Sequence, residues 1–310
     1  MHKNSRRIKA CLYIVKILSR YCIYTQLYNF LSNILSFNWF LWYNILKRIF
    51  HGEPGGMKMI ENREKNESLG IGGLRLIQNK DYFIYGTDSV LLANFVKTSK
   101  KSNLIDLCSG SGVIPLLLTT KIQYNKIACV ELQTEMFDIL EKNIKLNELK
   151  DVIAINEDIK NVQNIRKKLI ENDINGKVNI ITVNPPYKPK GKGIPSDNKV
   201  KYIARHEELC NLEDVFFSSS KLLESKGKLY IVHKPERMVD LLTLARKYNL
   251  EAKRIQYIYP KIDLKPSIVL IEYVKDGGNE CIVENCIIQY DDVGNYTEKF
   301  LEICGGKFDE

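Results

Sequence analysis

The sequence predicts an α/β fold: a mostly parallel, seven-stranded sheet with an antiparallel edge strand and helices on both faces. Three observations carry this. Short apolar runs alternate with helix-length amphipathic stretches along 310 residues, the pattern of strands buried on both faces and joined by crossover helices. The first such run, Leu104-Ile105-Asp106-Leu107, passes through Cys108-Ser109-Gly110-Ser111-Gly112 into a helix whose first turn tolerates Pro115. The last two runs, Arg254 to Tyr259 and Ser267 to Val274, have no helix between them, so they close the sheet as a hairpin.

Taken in order, Leu69 to Ile84 alternates around Gly residues and Asn79-Lys80-Asp81, a hairpin signature. Thr87 or Asp88 is placed to N-cap a helix over Ser89 to Val96. Ile127 to Glu131 reads as a strand, followed by a helix over 133–147 with Met136, Phe137, Leu140 and Ile144 on one face. The next strands are Val152 to Ile155, Val178 to Val183 and Lys228 to His233. Helices over 161–171, 212–224 and 236–248 connect them. The tail is expected to add Cys286-Ile287-Ile288-Gln289 and a short helix, Tyr296 to Ile303.

Open α/β sheets bind ligands at the carboxyl ends of their strands, and these ends carry unusual residues. The run Val178 to Val183 stops at Asn184-Pro185-Pro186-Tyr187. Two prolines fix φ and remove two N–H donors, leaving a stiff, acceptor-rich segment followed by an aromatic face. Such a notch suits an –NH2 group on a flat ring. The Asn184 side-chain oxygen and the Pro185 carbonyl each accept one of its protons, and Tyr187 stacks on the ring. A proline turn alone explains neither the Asn nor the Tyr. Glu131 ends its strand 19 residues after Gly112, a spacing suited to gripping ribose hydroxyls. Glu157-Asp158 follow the next strand. Gly110-Ser111-Gly112 lacks the third Gly of the dinucleotide pattern, which disfavours a nicotinamide site.

This order resembles the S-adenosylmethionine-dependent methyltransferases of the Rossmann-like class I, in the amino-methylating branch marked by Asn-Pro-Pro-Tyr. The segments Tyr82 to Ala93, with Gly86-Thr87-Asp88-Ser89, and Ala204-Arg205-His206-Glu207 look like the bacterial enzymes that methylate adenine N6 in valine tRNA beside its anticodon. The resemblance runs from about Ile60 to Ile303. It implies S-adenosyl-L-methionine as cofactor. Asp106, Gly110 and Gly112 would hold its methionine end, Glu131 the ribose and Asp158 the adenine, with Thr87, Asp88 and Asn184 in contact too. For Thr87 and Asp88 a helix cap is the competing role; for Asp106 it is a brace for the Gly turn. One departure is Cys108, where the family has Gly, so the backbone there is expected to avoid positive φ. Close rivals share the acceptor chemistry. Enzymes that methylate a glutamine amide in peptide release factors usually carry a helical amino-terminal domain, whereas here a hairpin precedes the Gly turn. Ribosomal RNA amino methyltransferases remain open. A DNA adenine methyltransferase would need an added recognition domain. A cofactor-sensing RNA-binding protein is opposed by the intact Asn184 to Tyr187.

Net charge is +9 and unevenly spread. Residues 1–56 hold eight Lys and Arg against Glu53, and 276–310 hold nine acids against Lys299 and Lys307. The sequence thus divides into an atypical extension (1–56), a basic catalytic body (57–275) and an acidic extension packed on or continuing it (276–310). A basic body suits a polyanionic partner, here tRNA. Between Tyr187 and His206, Lys188, Lys190, Lys192, Lys199, Lys201 and Arg205 face a single acid, Asp197. With Gly191, Gly193 and Pro195 this reads as a phosphate-contacting lid, in which Lys188, Lys190, Lys192, Arg205 and His206 touch RNA. The eight cysteines form no C-x-x-C pair, which points to a reducing cytoplasm with neither a zinc site nor a disulfide framework.

Tyr21 to Leu46 is 26 residues without a charge, yet its Asn, Gln, Ser and Thr content is too polar for a clear membrane span. Met57 and Met59 precede the point where the resemblance begins, so synthesis is expected to start at one of them, with a membrane or surface anchor and a soluble helix as the competing readings of residues 1–56. Intact-mass analysis of the native protein checks this: a species well below 35.9 kDa is expected, and the full mass would contradict it.

Overall fold

A computed structural model describes residues 64–79, 86–175, 178–187 and 210–305. The chain divides into two units, Met1–Glu61 and Asn62–Glu310, and all described residues belong to the second. The expectations for residues 1–56 and for the 188–206 loop lie outside them. Among the described residues no helix is long and apolar enough to cross a membrane.

A hairpin, β1 (Glu64–Ser68) and β2 (Arg75–Asn79), opens the fold. Its turn uses Gly70, Gly72 and Gly73, all at positive φ, so of the two turn signals in Leu69 to Ile84 the glycines join these strands. Then follow α1 (Thr87–Phe95), β3 (Ser102–Leu107), α2 (Val113–Lys121), β4 (Tyr124–Glu131), α3 (Thr134–Leu146), β5 (Val152–Asn156), α4 (Val162–Glu171) and β6 (Val178–Val183). After them come α5 (Leu212–Leu222), β7 (Leu223–His233), a 3-10 turn (Pro235–Arg237), α6 (Met238–Lys247), β8 (Leu250–Tyr259) and β9 (Ile268–Lys275). The short β10 (Ile282–Val283), β11 (Ile287–Ile288) and α7 (Glu298–Cys304) end the described chain.

The main sheet runs β10-β8-β9-β7-β6-β3-β4-β5, with β11 also on β8. Seven long strands form it, as expected. The reversed strand is β9, antiparallel to both β7 and β8, so the change of direction falls one strand in from the edge. The two-residue strands β10 and β11 pair in parallel with β8 and cover an edge that would otherwise be open.

Strand residues alternate between two cores. Ile105, Leu107, Ala128, Val130, Ile181 and Val183 pack with α4, α5 and α6. Leu104, Ile127, Cys129 and Ile180 pack with α1, α2, Leu140 of α3, and α7. From β3 the chain steps outward through β4 and β5, then returns to lay β6 on the other side of β3. The gap between β3 and β6 is therefore the topological switch point, where such sheets open a crevice.

The hairpin is docked by side chains that imitate a strand. Asn143 accepts from Ile77 N–H (2.6 Å) and donates to Ile77 C=O (3.1 Å). One turn on, Asn147 makes the same pair with Arg75 at 2.9 and 2.8 Å. The geometry works because four helical residues rise about 6 Å, close to the roughly 6.8 Å between alternate strand residues. Asn143 is fully buried and also donates to the Ser111 carbonyl (2.9 Å), tying the hairpin to the glycine turn after β3. Asn143→Leu would strand all three backbone groups, at an expected cost of about 2–4 kcal/mol. Urea titration of the variant against wild type measures it.

Candidate active site

The site assembles at the switch point. Asp106 on β3 pairs in register with Thr182 on β6, and the Thr182 hydroxyl donates to Asp106 Oδ1 at 2.6 Å. The other oxygen, Oδ2, is buried without a partner. Burial, chiefly, raises the Asp106 pKa to about 7, against the lowering hydrogen bond from Thr182.

The turn that follows is held at both ends. Ser109 donates its hydroxyl to the Asp106 carbonyl (2.8 Å) and its N–H to Val130 C=O (3.1 Å). Gly110 donates its N–H to Glu131 Oε2 at 2.8 Å, and Gln133 N–H reaches Oε1 at 2.8 Å. Glu131 is buried, which raises its pKa, while those backbone donors pull it down. Gly112 sits at φ +86, and a Cβ there would stand 2.6 Å from a Leu140 methyl, so only glycine lets α3 pack against the turn. Cys108 overturns the expectation made for it: its φ is +56. The bonds fixing Ser109 and Gly110 dictate a left-handed residue at 108, a strain of about 1–2 kcal/mol for a side chain. The thiol packs against the core and lies 3.9 Å from the Cys210 sulfur.

Asn184 to Tyr187 leave β6 beside this turn, with Pro185 buried and the other three half-buried. Asn184 Nδ2 donates to the Ser89 hydroxyl (3.2 Å). The Tyr187 hydroxyl lies 2.5 Å from Asn184 Oδ1 and 2.8 Å from Asp88 Oδ2. Burial, and then the Asp88 carboxylate, push the Tyr187 phenol well above its usual range. Its ring meets His233 at 5.0 Å, inclined 65°, and the Lys234 ammonium lies 5.3 Å from the ring centre.

Asp88, Asp106, Gly110, Gly112, Glu131, Asn184 and Tyr187 are therefore linked through adjacent strand ends and α1. Thr87 and Asp88 do not cap that helix; Gly86 occupies the cap, with no side-chain bond. Asp158 follows β5 and is engaged locally: Lys160 N–H reaches Oδ1 at 2.9 Å and its ammonium Oδ2 at 3.3 Å. Lys188, Lys190, Lys192, Arg205 and His206 lie outside the described residues.

Ser89, Thr182, His233 and Lys234 were not anticipated. Thr182 and His233 follow from register, since β6 lies between β3 and β7 and all three end at the crevice. His233 is fully buried with Nε2 unpartnered, and burial, chiefly, lowers its pKa to about 4. It is a neutral imidazole at ordinary pH. Ser89 falls in the segment Gly86-Thr87-Asp88-Ser89 that carries the resemblance, but nothing in its own spacing assigns it a role.

Comparisons agree with this geometry. A chain 29% identical over 196 residues, covering 60% of this protein and 75% of its own length, is named tRNA1(Val) (adenine(37)-N6)-methyltransferase in Parabacteroides distasonis. One from Haemophilus influenzae with the same name is 25% identical, covering 70% and 88%. Among solved structures, a predicted O-methyltransferase of Agrobacterium tumefaciens superposes with a TM-score of 0.56 at 16% identity, over 71% of this chain and 96% of that one; that likeness is one of fold. The switch-point crevice, the glycine turn and Asn184 to Tyr187 all fall within residues 84–249, which match the methyltransferase small domain model, and the chain belongs to that family.

Proposed function

We propose that the protein transfers a methyl group from S-adenosyl-L-methionine to the exocyclic N6 of an adenine in tRNA, beside the anticodon. One observation carries the reading: Asp106 and Asn184 stand on neighbouring strand ends, Asp106 level with Thr182 and Asn184 two residues beyond it. Cofactor and acceptor amine can then meet at one crevice. The names of the relatives supply the substrate.

The residues present fit the cofactor. A buried carboxylate oxygen without a partner costs about 1–3 kcal/mol, and Asp106 Oδ2 is one. It would receive the methionine ammonium. Gly110 and Gly112 keep the turn free of side chains at that point. Each Glu131 oxygen already accepts one N–H and keeps a lone pair for a ribose hydroxyl. Thr87 opens α1 and Asp158 follows β5; on this reading Thr87 would touch the cofactor and Asp158 its adenine. When bound, S-adenosylmethionine supplies an activated methyl on a sulfonium, which leaves positioning and electrostatics to the protein.

An adenine N6 is a poor nucleophile because its lone pair is delocalised into the ring. Asn184 Oδ1 and the Pro185 carbonyl each accept one N–H, turning the lone pair towards the methyl for in-line displacement. Orientation of this kind is worth several kcal/mol. The incoming amine replaces the Tyr187 hydroxyl at Oδ1, so the amide oxygen is never left empty. The base, splayed out of the anticodon loop, stacks on Tyr187 in competition with Lys234; stacking returns about 1–3 kcal/mol. No dedicated base is needed, because the methylated amine is acidic and gives its proton to water. The basic 188–206 segment would contact the RNA phosphates.

Asn184→Ala is expected to leave less than about a tenth of the tRNA methylation rate, as expected when a positioning acceptor is lost, with cofactor affinity within twofold. A radiolabelled methyl assay with unmodified tRNA, and nucleoside mass spectrometry of tRNA from a strain lacking the gene, check it; N6-methyladenosine unchanged in that strain would overturn the substrate assignment. The Asp106 pKa of about 7 gives a pH test. Below it Asp106 is neutral and must lose its proton before pairing with an ammonium. Cofactor affinity should therefore rise with pH through about 7, approaching tenfold per unit on the acid side, and Asp106→Asn should flatten the profile. Titration calorimetry with S-adenosylhomocysteine from pH 5.5 to 8.5 reads both.

A further inference from the structure

We infer that the first turn of α1 is the brace of the acceptor notch: Ser89 sets the orientation of the Asn184 amide, and Asp88 is the reserve acceptor that takes the Tyr187 hydroxyl when a substrate amine arrives. This rests on the reading of Asn184 as the amine's acceptor and replaces the cofactor contact expected of Asp88.

An asparagine amide has two poses related by a half-turn, and only one presents its oxygen to an incoming N–H. In the observed pose Nδ2 donates to the Ser89 hydroxyl at 3.2 Å, which leaves Oδ1 turned towards Tyr187 and an incoming N–H. The serine is well placed to hold that pose. It is buried, its N–H bonds to Gly86 C=O (3.3 Å), and the next four residues, Val90 to Ala93, are packed in the core. A site held by a rigid helix keeps its geometry better than one held by a loop.

Asp88 follows from a proton count. The Tyr187 phenol has a single proton and two acceptors in range, Asn184 Oδ1 at 2.5 Å and Asp88 Oδ2 at 2.8 Å. The shorter distance assigns that proton to Oδ1, and when an amine donates there the hydroxyl turns to the Asp88 carboxylate. Substrate entry thus exchanges hydrogen bonds without orphaning a buried group. The raised Tyr187 pKa, caused by burial and then by Asp88, fits a phenol that stays protonated throughout.

The test uses Ser89→Ala, Ser89→Thr, Asp88→Ala, Tyr187→Phe and the Asp88→Ala/Tyr187→Phe double variant of the full chain. Ser89→Ala should cut kcat for tRNA methylation about tenfold, the scale of one buried hydrogen bond, with KM for S-adenosylmethionine and the S-adenosylhomocysteine Kd within twofold. Ser89→Thr, which keeps the hydroxyl, should restore most of the rate. Asp88→Ala should lower kcat similarly in the wild-type background and add nothing to Tyr187→Phe, since it acts through that hydroxyl. In ligand-free, asparagine-labelled protein, the Asn184 side-chain amide signals, identified by their loss in Asn184→Asp, should shift or broaden in Ser89→Ala and stay put in Ser89→Thr. Unchanged signals and rate in Ser89→Ala would overturn the Ser89 role. A loss of more than tenfold in S-adenosylhomocysteine affinity in Asp88→Ala, or independent losses in the double variant, would overturn the Asp88 role. Should the wild-type protein methylate no tRNA, the substrate assignment fails while the amide signals and the cofactor titration still decide the brace.

Discussion

The hydrogen bond from Thr182 to Asp106 is the joint on which the site turns. It crosses from β6 to β3 at the point where the strand order reverses, and it lies wholly inside the protein. A carboxyl group there is expensive unless it is paired, and the fold pairs only half of it. Asp106 Oδ2 is left unpartnered, and the group answers burial by holding its proton up to about pH 7. Structural economy alone would place an apolar residue at the end of β3. The retained carboxyl, the strained Cys108 and the glycine-only Gly112 lie within seven residues of one another, a concentration of local cost that packing does not require.

Glu131 couples that turn to the next strand. Its two oxygens bind the N–H groups of Gly110 and Gln133, so the end of β4 and the turn after β3 move as one body. Asn143 extends the same body outwards by joining Ser111 to Ile77. The hairpin β1–β2 is thus a clamp on the glycine turn as well as a decoration on α3. It packs Leu74 and Leu76 into the core that also holds α1 and α2, bringing the hairpin, the glycine turn and α1 into a single packed unit.

Much of the architecture was legible because strands buried on both faces are largely apolar, and the runs ending at Leu107, Val130 and Val183 are so apart from Asp106, Asn179 and Thr182. Asn184 to Tyr187 was legible because consecutive prolines restrict the backbone whatever surrounds them. Features set by tertiary context were not. The hairpin β8–β9 and the segment holding β11 were read from the sequence, but which strand of that hairpin lies at the edge depends on the neighbour β8 chooses, and the two-residue β10 is too short to carry a period. The first hairpin was legible, but Gly70 to Gly73 and Asn79-Lys80-Asp81 both carry turn chemistry, so its turn was not singled out. Thr87 and Asp88 have good capping chemistry, yet Gly86 takes the cap and leaves Asp88 facing Tyr187. Cys108 shows the same principle: local preference disfavours a left-handed cysteine, and the bonds on either side impose it.

The two halves of the crevice are prepared for ligands in opposite ways. On the β3 side an acceptor, Asp106 Oδ2, stands empty and protonatable, so binding a cation there relieves a standing penalty. On the β6 side the acceptor Asn184 Oδ1 is already filled by the protein's own phenol, so an amine enters only by exchange. The first arrangement favours capture and the second favours selection, because a ligand that cannot donate an N–H would have to break the Tyr187 contact and return nothing. Neutral His233 and the Lys234 ammonium against the Tyr187 ring extend that selection to shape and charge. A flat, electron-rich ring can replace Lys234 over the phenol, whereas a second cation would have to enter against the ammonium's field. Adenine would present such a ring and such an amine together, and on the proposed reading Asn184 to Tyr187 would both recognise the acceptor and orient it.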